Sequence, residues 1–182
     1  MRYAITGSIG TGKTTVANVF KELGFVIYDA DEMVHELYKD KAVLDKVETM
    51  FPMAFENGQM HNKVVADVIF HDEKKKKELE NFIHPLVKEK ILQLDNCIIE
   101  VPLLFESKME KLFDKVIVVY CDKDKQIKRV MKRNKISKEE ATSRVDSQMD
   151  INEKIKLGDF VVDNSGKLCN IKKQVNDIVS KL

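Results

Sequence analysis

An apolar segment, Tyr3-Ala4-Ile5, runs straight into Gly7-Ser8-Ile9-Gly10-Thr11-Gly12-Lys13-Thr14-Thr15. This spacing satisfies G-x-x-x-x-G-K-[ST] and commits the start of the chain to a strand, a tight loop and a helix. The glycines admit backbone conformations that a Cβ forbids, so successive N–H groups can turn inward around an anion. The helix that opens near Lys13 aims its unpaired N–H groups and positive dipole end at the same place. A loop of this kind binds a nucleoside triphosphate: Gly10, Thr11, Gly12, Lys13, Thr14 and Thr15 surround the phosphates, Lys13 reaches the β/γ-phosphates, and the Thr14 hydroxyl is the metal ligand, for Mg²⁺.

The other strand-like runs are Phe25 to Tyr28, Cys97 to Val101, Lys115 to Tyr120 and Phe160 to Val162, each short and rich in Val, Ile and aromatics. Helical patterns separate them, which predicts an α/β fold, a five-stranded parallel sheet flanked by helices. At 182 residues the chain suits a single domain with insertions. The nucleotide-binding core is expected in 1–31, 95–122 and 158–182, with a helical insertion at 32–94 and a lid at 123–157. No convincing strand is evident between Asp31 and Leu94. Helical patterns there cover Lys41 to Phe51, Lys63 to Phe70, Lys74 to Ile83 and Pro85 to Leu94, with Pro85 in the first turn of its helix.

A net charge of +1 gives no global basic field, so nucleic acid is not an expected partner. No apolar run is long enough to span a bilayer and no secretory leader pattern is present, so a cytoplasmic location without a membrane partner is expected. Cys97, Cys121 and Cys169 lack metal-ligand spacing and read as free thiols. Lys74 to Lys77 read as a solvated helix face.

Phosphoryl transfer needs a group that orients the acceptor hydroxyl, cations on the phosphates, and closure against water. Asp29-Ala30-Asp31 follows the second strand, and ligands of open α/β sheets gather beyond the carboxyl ends of strands. Asp29 reads equally as a helix cap, whereas Asp31 is the stronger functional candidate. Glu100 stands where a strand-end acid supports Mg²⁺. Pro102 stops the third strand, and two readings are open for Leu103 and Leu104: an apolar face for the acceptor, or ordinary core. Arg129, Arg133 and Arg144 lie in the lid region. Asp163-Asn164-Ser165-Gly166 matches the D-x-x-G pattern of GTPases but comes too late in the chain, and no N-K-x-D motif is present.

Together these pieces resemble the dephospho-coenzyme A kinase family over essentially the whole chain. The resemblance is carried by the loop Gly7 to Thr15, Leu23-Gly24, Asp29-Ala30-Asp31, Gly58, Phe70, Ile83-His84-Pro85 and Val101-Pro102-Leu103-Leu104-Phe105-Glu106. It continues through Gln126 with Arg129 and Arg133, Arg144 with Gln148, and Asp163-Asn164-Ser165-Gly166. The ordered series Asp-Ala-Asp, His-Pro and Pro-Leu-Leu-Phe-Glu is far more specific than the phosphate loop.

The resemblance implies transfer of the ATP γ-phosphate to the ribose 3′-hydroxyl of dephospho-CoA, the last step of coenzyme A synthesis. It selects Asp31 as base, with Lys13, Arg133 and Arg144 as catalytic cations. Arg129, Asn164 and Gly166 fall on the ATP side; Lys63, His84, Leu103 and Leu104 join Asp31 on the substrate side. Two departures stand out. Gly58-Gln59-Met60-His61-Asn62 replaces Gly-x-Leu-Asp-Arg, which leaves Asn62 in the arginine's place and Lys63 adjacent. Gly158-Asp159 replaces Ala-Asp before the last strand. The rival readings are another small-molecule or nucleoside monophosphate kinase of the same core, and a nucleotide-dependent switch.

Overall fold

The computed structural model describes residues 1–182. They divide into two compact units, residues 1–30 with 94–182, and residues 31–93.

The first unit is built on the parallel sheet. Its strands are β1 (Arg2–Thr6), β2 (Val26–Asp29), β5 (Cys97–Glu100), β6 (Lys115–Tyr120) and β7 (Phe160–Asp163), ordered β2-β5-β1-β6-β7. Every adjacent pair is parallel, and the register sets Ile5 beside Glu100 and Glu100 beside Asp29. β1 is central: the chain builds outward from it on one side through β5 and on the other through β6. Where the direction of winding changes, the connections leave to opposite faces and open a crevice beyond the strand ends.

Alternate residues of the strands serve opposite faces. Tyr3, Ile5, Ile98, Ile117, Val119 and Val162 share a core with Val16 and Phe20 of α1 (Lys13–Glu22) and Ile171 and Val175 of α9 (Leu168–Val179). Ala4, Ile99, Val116 and Val118 point the other way and are buried too. Both faces are therefore covered, which is why these strands read as continuous apolar runs. On the second face α8 (Ile151–Leu157) packs on β6. A Cβ at Gly158, just after it, would stand 2.5 Å from Val118 Cγ2, so the departure Gly158-Asp159 is a packing feature. Helix α1 ends in a Schellman motif, with Phe25 N–H donating to Phe20 O at 3.1 Å and Gly24 N–H to Lys21 O at 3.0 Å.

Between β6 and β7 lie α6 (Lys123–Asn134) and α7 (Lys138–Asp146), held together by Ile127, Val130, Ala141 and Val145. A capping box, with Ser137 and Glu140 each accepting from the other's backbone N–H, starts α7.

The second unit contains nearly all of α2 (Ala30–Leu37), then α3 (Lys41–Met50), α4 (Asn62–His71) and α5 (Glu73–Leu92). It also contains a hairpin of β3 (Phe55–Glu56) and β4 (Gln59–Met60), where no strand was expected. The Asn57-Gly58 pair, with φ of 51° and 75°, supplies the two positive φ values of a tight hairpin turn. A second correction concerns Pro85. The expected break before it is absent, and residues 73–92 form one helix with Pro85 inside. Leu79, Ile83, Val87 and Ile91 recur every four residues and are all buried. Burial of that continuous stripe outweighs the single hydrogen bond Pro85 cannot make. Lys76 and Lys77 pair on the helix surface with Glu80 and Glu73, as expected of a solvated face, whereas Lys75 is half-buried, donating to Met50 O at 3.0 Å and lying over the Phe51 ring besides pairing with Glu78.

Candidate active site

The phosphate loop leaves β1 after Thr6, and α1 starts at Lys13 with Gly12 as its N-cap at φ 88°. Two side chains hold the loop's outward-facing carbonyls. Arg129 Nη1 donates to Gly10 O at 3.2 Å and Thr11 O at 3.1 Å, while its Nη2 donates to Asn164 O at 2.9 Å. Asn164 Nδ2 donates to the same Thr11 O at 2.7 Å. Across a trans peptide the N–H points opposite to the C=O, so pulling Thr11 O toward Asn164 turns Gly12 N–H inward. A Cβ on Gly12 would stand 2.1 Å from Asn164 Nδ2, a contact only glycine avoids.

The start of the loop is tied to the segment between α7 and α8. Ile9 N–H donates to Gln148 Oε1 at 2.7 Å and Ser8 Oγ to Met149 O at 3.3 Å. Lys13 Nζ donates to Gly7 O at 3.0 Å and Ser8 O at 3.4 Å, so the ammonium lies over the loop mouth. Thr14 Oγ1 donates to Glu100 Oε2 at 3.2 Å, and Glu100 is only 6% exposed. The hydroxyl of the first turn of α1 and the carboxylate at the end of β5 together form a hard-oxygen corner that would suit Mg²⁺. No group of three or more His, Cys, Asp or Glu is placed to hold a metal by itself.

The remaining expected residues separate. Arg133 and Arg144 are exposed in the last turns of α6 and α7, and Arg133 Nε donates to Asn134 Oδ1 at 3.0 Å. Neither makes a hydrogen bond to the loop. Arg129, expected to bind nucleotide, engages three backbone carbonyls, two of them in the loop itself. Leu103 is 41% exposed, but Leu104 is wholly buried, so the substrate role expected for Leu104 is corrected to core packing. Gly166 follows Ser165, whose carbonyl accepts from Lys125 Nζ at 2.7 Å.

In the second unit, Asp31 is exposed in the first turn of α2, and its carbonyl lies 2.8 Å from His35 Nδ1. Lys63 is exposed in the first turn of α4. His84 is half-buried inside α5; burial holds its pKa below the usual histidine value, Glu80 opposing and Lys88 reinforcing the shift.

Two features escaped the sequence reading. Lys154 is buried to zero exposure and pairs with Glu106 at 2.9 Å. Its only signal was a lysine three residues after the buried Ile151, on the covered face of a short helix. Glu106 was visible as the end of Pro-Leu-Leu-Phe-Glu, but without a partner.

A family model described as Dephospho-CoA kinase matches residues 1–170. The chain belongs to the dephospho-CoA kinase family. This kinase is therefore an ATP-using phosphotransferase, and the match includes the loop, the strand-end acid and the Asp163–Gly166 segment. It is 36% identical over 189 aligned positions to a dephospho-CoA kinase of Bacillus cereus, covering 97% of this chain and 94% of the relative. Among solved structures, dephospho-CoA kinase from Campylobacter jejuni matches with a TM-score of 0.74 and 30% identity, over 99% of this chain and 96% of that one. TT1252 from Thermus thermophilus matches with a TM-score of 0.88 and 29% identity, over 100% and 97%. No helix of the kinase is long and apolar enough to cross a membrane.

Proposed function

We propose that the chain transfers the γ-phosphate of ATP to the ribose 3′-hydroxyl of dephospho-CoA, completing coenzyme A, with the following division of labour. The inward N–H groups of residues 10–15 and the Lys13 ammonium hold the phosphates. The Thr14 hydroxyl would hold a Mg²⁺ ion carried in with ATP, with Glu100 beside it. When bound, the ion neutralises charge between the β- and γ-phosphates. The observation that carries this part is the Thr14–Glu100 contact at 3.2 Å, formed at the carboxyl ends of β1 and β5 where such ligands collect.

Asp31 is the group that accepts or orients the 3′-hydroxyl proton. Support comes from its position, two residues past Asp29 at the end of β2 and exposed in the first turn of α2. Lys63, His84 and Leu103 are assigned to the acceptor, and Asn164 and Gly166 to the ATP side. Arg133 and Arg144 serve as mobile cations, which suits guanidinium groups on exposed helix ends. The net charge of +1 supports a small molecule rather than nucleic acid as partner. A cytoplasmic location belongs to the same reading, since ATP is the donor.

The test is a coupled assay offering dephospho-CoA, AMP, dTMP and shikimate in parallel. Turnover of dephospho-CoA above the other three is the expected result; preference for any of them overturns the acceptor assignment. Tight nucleotide binding with no phosphorylated product would favour the switch reading.

A further inference from the structure

Burying an ammonium is costly, and filling the same space with an apolar chain of equal volume is often neutral or stabilising. Lys154 is nonetheless fully buried in α8. Its bonds are specific: Nζ donates to Pro102 O at 3.1 Å and to Glu106 Oε1 at 2.9 Å. Glu106 Oε1 also accepts from Met149 N–H at 3.2 Å. Met149 O in turn accepts from the Ser8 hydroxyl, and the neighbouring Gln148 accepts from Ile9 N–H. Pro102 O receives the hydroxyl of Thr6, the last residue of β1, at 3.4 Å.

These bonds form a continuous circuit. One arm reaches the exit of β5, two residues past Glu100 and one before the exposed Leu103. The other arm reaches Ser8 and Ile9 of the phosphate loop. Lys154 is the only cation in the circuit and touches neither the loop nor Glu100.

We propose that Lys154 is a positioning residue for phosphoryl transfer, fixing the exit of β5 against the segment that holds the phosphate loop. The inference rests on the kinase reading above. It adds that the spacing between the Thr14–Glu100 corner and the start of the loop is set by one buried ammonium and its carboxylate. In-line transfer demands that spacing, because a misplacement of about 1 Å can cost on the order of a hundredfold in rate.

Steady-state kinetics and melting temperature are measured for the wild type, Lys154→Arg, Lys154→Met and the double variant Lys154→Met/Glu106→Leu. The Glu106 side chain is 25% exposed, so its charge can be hydrated when Lys154 is lost, and the double variant removes both charges together. The expected result for Lys154→Met is a fall in kcat of about tenfold or more, with the KM for ATP changed less than kcat. The double variant regains the melting temperature but not kcat, and Lys154→Arg retains most of kcat by donating to the same two oxygens. A double variant with wild-type melting temperature and wild-type kcat overturns the proposal, because the pair would then be structural only. So does an undiminished kcat in Lys154→Met. Absence of dephospho-CoA turnover in the wild type is a different result and counts against the functional reading instead.

Discussion

The Thr14 hydroxyl and the Glu100 carboxylate meet at 3.2 Å, joining the first turn of the helix after the phosphate loop to the last residue of the neighbouring strand. Their contact makes Glu100 more than a strand-end acid. It orients the hydroxyl proposed above as the metal's ligand.

For Glu100→Gln, the expected outcome is a kcat reduced by about ten- to a hundredfold, the range in which loss of an outer-shell partner weakens a metal site. The Mg²⁺ concentration giving half-maximal rate should rise with it. Titrating Mg²⁺ at saturating ATP checks this, and an unchanged half-saturation point would remove Glu100 from the metal's surroundings.

Asp31→Asn keeps the size of the side chain and removes its basicity. Turnover should fall by about two to four orders of magnitude, the worth of a positioned base, while ATP binding stays near the wild-type value. Single-turnover kinetics paired with a nucleotide-binding titration separate the two quantities. Near-normal kcat would exclude Asp31 as the base.

Arg129→Lys retains the charge but loses the planar fork that spans Gly10 O, Thr11 O and Asn164 O. If Arg129 acts by shaping the loop, ATP affinity should weaken by about tenfold, corresponding to roughly 1.4 kcal/mol for a lost charge-assisted bond. A contact made only in the transition state would instead lower kcat at constant affinity. Calorimetric titration with a non-hydrolysable ATP analogue distinguishes the outcomes.

His84 gives a pH signature of known sign. Its folded-state pKa lies below the ordinary 6.5 because burial disfavours the cation. Between the two values the unfolded chain binds more protons than the folded one, so stability rises with pH across that window and is lost as pH falls below 6.5. His84→Gln should flatten this slope. Denaturant midpoints measured from pH 5 to pH 7.5 provide the comparison; an identical slope in the variant would assign the pH dependence elsewhere.

The parts legible in the sequence are those whose chemistry is local. The phosphate loop is written in glycines and a Lys-Thr pair, and the strands are short apolar runs because both faces of the sheet are covered. The hairpin at Asn57-Gly58 was equally local, but two-residue strands are too short to show alternation. Pro85 misled because the intrinsic rule against interior proline competes with burial of Leu79, Ile83, Val87 and Ile91, which only the folded unit reveals. Lys154 was hidden for a related reason: a lysine reads as surface unless its carboxylate partner is known, and Glu106 lies 48 positions earlier. The arginines of α6 and α7 were identified by kind, but their placement relative to the loop depends on helix packing that no motif encodes.

The central place of β1 has a consequence for synthesis. β1 pairs with Cys97–Glu100 and Lys115–Val118, and the loop it carries is held by Asn164 through Thr11. In a chain emerging from the ribosome the phosphate loop therefore precedes the Asn164 amide that holds it by 153 residues. Nucleotide protection against protease should first appear in nascent chains that extend past Asn164. The apolar β1 has no sheet partner until Cys97–Glu100 has been made, and an unpaired apolar strand is exposed to misassembly during that interval.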